Sequence, residues 1–203
     1  MVNIIYPLEI ITGIVAFWSF KKYTMPYYKY FLWYIVTVVL FESIGWVYNL
    51  YELPGKYQVF NIYTFFEFNF VSLIYYKLTK ELFSKRSIKF LMVLFNFIYF
   101  VSFLYTPLKD YTIFILAIIL SFFMILYLKE LLNSDEIISF KERLSFWITI
   151  AFLFYYLATI PYYTALYLII HRASYLFYLH HGVLIITYLC FIYGLLCSKK
   201  EPT

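Results

Sequence analysis

Basic residues interrupt this chain at regular intervals, and between them lie seven long apolar runs at roughly 3–20, 30–50, 58–76, 88–106, 111–128, 145–170 and 174–197. Each is close to the ~17–25 residues that a helix needs to cross ~30 Å of hydrocarbon. The gaps alternate sharply in charge. Lys21, Lys22 and Lys29 follow the first run; Lys77, Lys80, Lys85, Arg86 and Lys89 follow the third; Lys129, Lys141 and Arg143 follow the fifth; Lys199 and Lys200 follow the seventh. Thirteen of the 16 Lys and Arg therefore fall on one side, and only Lys56, Lys109 and Arg172 on the other. Basic loops favour the cytoplasmic face. The expectation is an all-α integral membrane bundle of seven transmembrane helices, N-terminus outside and C-terminus inside, forming a single transmembrane domain over 1–203 in a bacterial inner (plasma) membrane.

Composition narrows the function classes. Hydrophobic residues make up 65% and charged residues 13%, against about 45–50% and about 25% in a soluble domain. The runs leave no room for a soluble catalytic module, a DNA-binding domain or a kinase domain. The net charge of +5 follows from the inside-positive bias, so no direct nucleic-acid partner is implied. Lys21 and Lys22 follow the first run rather than precede it, the charge order of an N-out anchor and not of a cleavable signal peptide. Cys190 and Cys197 lie seven apart on one helical face, where they cannot pair with each other, and read as small packing residues. The 25 Tyr and 24 Phe populate interfaces, where Tyr is favoured, but also run mid-helix. An AT-rich coding bias accounts for them as readily as an aromatic ligand site does.

Turn residues agree with these spans. Pro26 lies in the first inner loop, Pro54-Gly55 makes the first outer turn, and Pro107 opens the second. Asn133-Ser134-Asp135-Glu136 reads as a loop, with Phe140 to Leu144 leading into the sixth helix. Pro161 is expected to kink or end that helix. No internal repeat, phosphate-binding glycine loop or metal-ligand spacing is present, and neither a cofactor nor a metal is expected.

An ionisable group inside the bilayer costs about 2.5–3.5 kcal/mol at helix centre on the insertion scale, so each one needs a reason. Glu9, Glu42 and Glu67 stand in the first three runs, and His180 and His181 in the seventh. The alternating topology places all five between the outer surface and mid-membrane. Glu42 and Asn49 share a face; Tyr63 and Glu67 are one turn apart, within reach of a phenol–carboxylate hydrogen bond. His180 shares a stripe with Thr187, and His181 with Tyr188. Asn61, Asn69 and Asn96 add amides. The candidate polar pocket, open to the outside, comprises Glu9, Glu42, Asn49, Asn61, Tyr63, Glu67, His180 and His181. The competing reading is that each merely bonds a neighbouring helix. Adjacent histidines diverge by about 100° around a helix, which disfavours a shared metal ion. No Lys lies between Lys141 and Lys199, which excludes a retinal Schiff base in the seventh run, and the Pro-Gln signature of SWEET sugar transporters is missing.

Glu42 and Asn49, followed by Asn61-Ile62-Tyr63-Thr64-Phe65-Phe66-Glu67-Phe68, together with Phe146-Trp147-Ile148-Thr149 entering a span that ends in Tyr and Pro, resemble a set of small bacterial multi-pass membrane proteins. Some of these are similar to the seven-helix input regions of sensor kinases without the kinase. The outer-half clustering of Glu and His, together with the lack of any output domain, points to a non-enzymatic sensor or regulatory accessory protein. It would signal to a cytoplasmic or membrane protein partner through a basic surface of Lys77, Lys80, Lys85, Arg86, Lys89, Lys141 and Arg143. Membrane lipid is the surrounding partner, and a homo-oligomer is compatible with so much aromatic surface. The alternatives are a small-solute or proton-coupled transporter, an accessory regulator of a CRISPR-type phage-defence effector, and an intramembrane lipid-modifying enzyme.

Overall fold

The computed structural model describes residues 4–105, 109–134, 140–164 and 174–199. Their secondary structure is helical throughout: α1 (Ile5–Trp18), α2 (Pro26–Leu50), α3 (Lys56–Leu78), α4 (Leu82–Leu104), α5 (Lys109–Leu132), α6 (Leu144–Thr164) and α7 (Ser174–Cys197). The seven apolar runs correspond one to one with these helices. Their ends differ, because an apolar run marks the hydrocarbon slab and not the last hydrogen-bonded turn. Thus α4 starts at Leu82, well before the apolar stretch, and carries Lys85 and Arg86 in its early turns. In α6 the helix continues through Pro161 to Thr164, so the proline does not end it there; 165–173, like Pro107, Asp135 and Glu136, lie outside the described residues.

Five helices, α2, α4, α5, α6 and α7, are long and apolar enough to cross a membrane. The other two fall short for different reasons. α1 has 14 residues, about 21 Å at 1.5 Å per residue. α3 is long enough at 23 residues but is diluted by Gln58, Asn61, Thr64, Glu67, Asn69 and Ser72. It tolerates them because it is wrapped by other helices: α2, α4 and α5 all pack along it, and Thr64, Glu67, Phe68, Val71, Ser72, Ile74 and Tyr75 are buried.

The helices close into a ring. α1 bridges α2 and α7, α7 packs on α6, α6 on α5, and α5 on α3, while α4 sits outside against α3 and α5. The ring is filled with aromatic side chains rather than a channel. Phe191 meets Phe31 and Phe152 edge-on at 5.2 and 5.1 Å between centroids, and Tyr34 meets Phe152 at 5.0 Å, the geometry favoured by ring quadrupoles. Phe68 and Phe95 stack at 3.8 Å between α3 and α4. The outer face of α4 exposes Phe83, Phe90, Val93, Phe97 and Phe100, a stripe suited to lipid.

Polar ends are satisfied locally. Pro26 opens α2 at a position where its missing N–H costs nothing. Gly55 adopts φ +97° ahead of α3, a conformation that side chains disfavour. At the other end, the last carbonyls of α7 face residues that follow α1. Lys22 Nζ donates to Leu195 and Leu196 O at 3.3 and 3.2 Å, and the buried Tyr23 hydroxyl lies 3.0 Å from Leu195 O and 3.1 Å from Ser198 O. A cation and a donor are what a helix C-terminus calls for. Lys199 adds an ion pair to Glu142 at 2.7 Å. Cys190 and Cys197 are free thiols.

Gly194 marks the tightest helix approach. A Cβ there would stand 2.6 Å from Cβ of Trp147 on α6, an atom with no freedom to withdraw. Gly194→Ala is therefore expected to lower stability by about 1–3 kcal/mol, and Tyr23→Phe by about 0.5–1.5 kcal/mol, both read from unfolding in detergent micelles. An unchanged midpoint for Gly194→Ala would show that α6 and α7 do not pack this closely.

Candidate functional site

The polar residues of α1, α3, α6 and α7 meet in a buried cluster built from carboxylates and phenols. Glu67 on α3 is 5% exposed, and its Oε1 accepts a hydrogen bond from the Tyr156 hydroxyl on α6 at 2.8 Å. Tyr63 stands one turn earlier on α3, and Tyr34 on α2 is buried with its ring 5.0 Å from that of Phe152. On the far side, Glu9 on α1 is 3% exposed and accepts from the Tyr188 hydroxyl on α7 at 3.0 Å. Its other oxygen, Oε2, is buried and accepts nothing. Each acid is thus held by one phenol from another helix, Glu67 by Tyr156 and Glu9 by Tyr188.

Local sequence explains these positions. Tyr63 and Glu67 are four residues apart and so share a face of α3. Tyr155 and Tyr156, adjacent on α6, diverge: Tyr156 bonds Glu67, while the Tyr155 ring lies 6.1 Å from that of His180. Glu42 is half-buried at the rim, within Coulombic reach of Glu9 and of Lys56. Beside it the Tyr6 and Ser43 hydroxyls are 2.9 Å apart, tying α1 to α2. His180 stacks on Tyr162 at 4.4 Å with 11° between ring planes, and its buried Nδ1 has no hydrogen-bond partner among the described residues. His181 stands beside it, 6.5 Å between ring centroids.

The eight residues expected to line a pocket thus divide. Glu9, Tyr63 and Glu67 join the cluster, Glu42 reaches its rim, and His180 touches it through Tyr155. Asn49 is exposed and accepts from Lys56 Nζ at 2.9 Å. Asn61 contributes a backbone carbonyl that takes the Tyr99 hydroxyl at 3.0 Å. Asn69 and Asn96 form a reciprocal amide pair, 3.1 Å in both directions, with each amide also donating to its own helix at 2.8 Å. That pair is an α3–α4 attachment and lies apart from the acids.

Sequence reasoning missed the phenols of Tyr156 and Tyr188 as carboxylate partners. The available signal was tyrosine far from any helix end, where an interfacial role does not apply. Among the described residues no three His, Cys, Asp or Glu side chains converge on a metal position. The arrangement instead holds buried acids by neutral donors, a set suited to proton exchange or to a small polar ligand.

Tyr156→Phe removes a donor from a buried carboxylate and is expected to cost about 1–3 kcal/mol. In a Glu67→Ala background the same change is expected to cost much less, and a double-mutant cycle of unfolding in micelles measures the difference. Additive costs would show that the two side chains do not interact. Comparison of the chain with protein-family models, with curated proteins and with solved structures finds no match in any of the three.

Proposed function

We propose that the protein is a non-enzymatic sensor or regulatory protein of a bacterial inner membrane, with seven spans, N-terminus outside and C-terminus inside. Its input is the carboxylate–tyrosine cluster in the outer half, and its output is the basic cytoplasmic end. The observation that carries this reading is the burial of Glu9 and Glu67, each hydrogen-bonded by a tyrosine of another helix, Tyr188 on α7 and Tyr156 on α6. Acids buried in a membrane bundle are costly and mark sites of proton or ligand exchange. Occupancy or protonation of such a site alters the contacts of α1, α3, α6 and α7 together.

The charge asymmetry supports the orientation. Helix alternation brings Lys21, Lys22, Lys77, Lys80, Lys85, Arg86, Lys141 and Arg143 to the end where α1, α3, α5 and α7 finish, which the positive-inside bias puts in the cytoplasm. There Lys77, Lys80, Lys85, Arg86, Lys89, Lys141 and Arg143 form the surface proposed to meet a cytoplasmic partner. α1 spans with help from its flanking 3₁₀ turn, Ser19–Lys21, and α3 spans because its polar face is turned into protein. The proton-coupled carrier is favoured less, because Phe68, Val71 and Phe152, all buried, fill the interior between Glu67 and the next polar tie.

Two measurements test the proposal. Single cysteines at positions 56 and 85, with Cys190 and Cys197 replaced by Ala, are expected to react with a membrane-impermeant maleimide from the periplasmic and cytoplasmic sides respectively; the reverse pattern sinks the orientation. In liposomes, a pH step on the outer face is expected to change the fluorescence of an environment-sensitive label at position 85. Glu9→Gln and Glu67→Gln should abolish that change, and a response that persists unaltered in both variants excludes the cluster as the input.

A further inference from the structure

At the basic end of the bundle, the start of α2, the end of α3, the end of α5 and the start of α6 enclose a cleft of about 220 Å³. That is room for about seven waters at ~30 Å³ each, and so for a phosphate group and part of its ester. Three cations from separate stretches of chain stand on its wall: Lys77 in the last turn of α3, Lys80 between α3 and α4, and Arg143 just ahead of α6. Tyr127 and Ser145 supply hydroxyls. α2 enters the wall at Pro26 with no side chain capping it, which leaves the positive end of its dipole facing the cleft region.

Glu130 is the acid on this wall, and it has a structural task. Its Oε2 accepts from the backbone N–H groups of Lys80 and Glu81 at 2.7 and 3.4 Å, fastening the α3–α4 turn to α5. It thereby fixes where Lys77 and Lys80 stand. Lys80 and Arg143 also hold contacts within the protein; an ammonium has three donors and a guanidinium five, enough to serve more than one acceptor. The wall carries two more positive than negative charges. A planar, forked guanidinium beside ammonium groups is the donor set that recognises phosphate.

We infer that this cleft binds a phosphate group, presented either by an anionic lipid headgroup of the adjoining leaflet or by a soluble phosphate ester. The site lies across the bundle from the carboxylate cluster and does not depend on the reading of that cluster. Bound phosphate would bridge α3, the α3–α4 turn and the entry to α6, so it would set the geometry of the basic surface.

Thermal unfolding of the full chain in maltoside micelles tests this, because a ligand that binds only the folded state raises the midpoint. Inorganic phosphate is compared with chloride at matched ionic strength, and phosphatidylglycerol with an uncharged glycolipid. Stabilisation by phosphatidylglycerol alone identifies a lipid source, and stabilisation by inorganic phosphate identifies a site open to soluble phosphate. In either case Lys77→Gln and Arg143→Gln should each weaken the apparent affinity about fivefold, as expected for loss of one basic contact to an anionic headgroup. Glu130→Gln keeps an acceptor for the turn and removes a negative charge, so affinity should hold or rise. Stabilisation by neither probe, equal stabilisation in Lys77→Gln and Arg143→Gln, or a loss in Glu130→Gln without loss of fold, overturns the inference.

Discussion

Buried polar groups must find partners within the protein, and this requirement organises the bundle around α3. An unsatisfied buried group costs about 1–3 kcal/mol, so the helix richest in amides, hydroxyls and acid must be wrapped. Its ties are specific: Glu67 to Tyr156, Tyr75 to Thr149 at 3.2 Å, Asn69 to Asn96, and the Asn61 carbonyl to Tyr99. Each such bond contributes only about 0.6 kcal/mol on average. Their larger effect is on register, because sliding α3 by one turn against α4 or α6 would orphan several groups at once. Aromatic packing provides bulk cohesion, and the polar ties decide which packing is adopted.

The same requirement accounts for the asymmetry of the molecule. One half encloses acids by phenols, while the opposite end gathers cations at helix termini and loops. Between them the interior is packed aromatic rings, Phe31, Phe152 and Phe191 among them. Packed cores of this kind move between discrete arrangements and do not deform continuously. Both acids are held from this packed layer, Glu67 by Tyr156 of α6 and Glu9 by Tyr188 of α7.

Legibility from sequence differed by element. Helix number and succession were readable because lipid demands long apolar runs and charge asymmetry labels their ends. That Tyr63 and Glu67 share one face was readable because both lie on one helix. The partners of Glu67 and Glu9 on α6 and α7 were not, since Tyr156 is 89 residues from Glu67 and Tyr188 is 179 from Glu9. Asn49 was misread as a pocket residue for a related reason. Its face of α2 is shared with Glu42, but it stands two turns nearer the helix end, where Lys56 takes it into the polar surface. Run length alone did not report that α1 completes only 14 helical residues or that the polar side of α3 is covered by neighbouring helices.

Sequence by itself determined an all-helical, lipid-compatible chain of seven apolar segments with basic residues biased to one side, because hydrophobic length and charge distribution are local quantities. Only the tertiary structure decided that α1 closes the ring against α7, that α4 stands outside it, and that the acids of α1 and α3 are met by tyrosines of α7 and α6. Those outcomes depend on which rings and hydroxyls fit against one another across helices. That is a matter of shape and hydrogen-bond direction, and no spacing along a single helix encodes it.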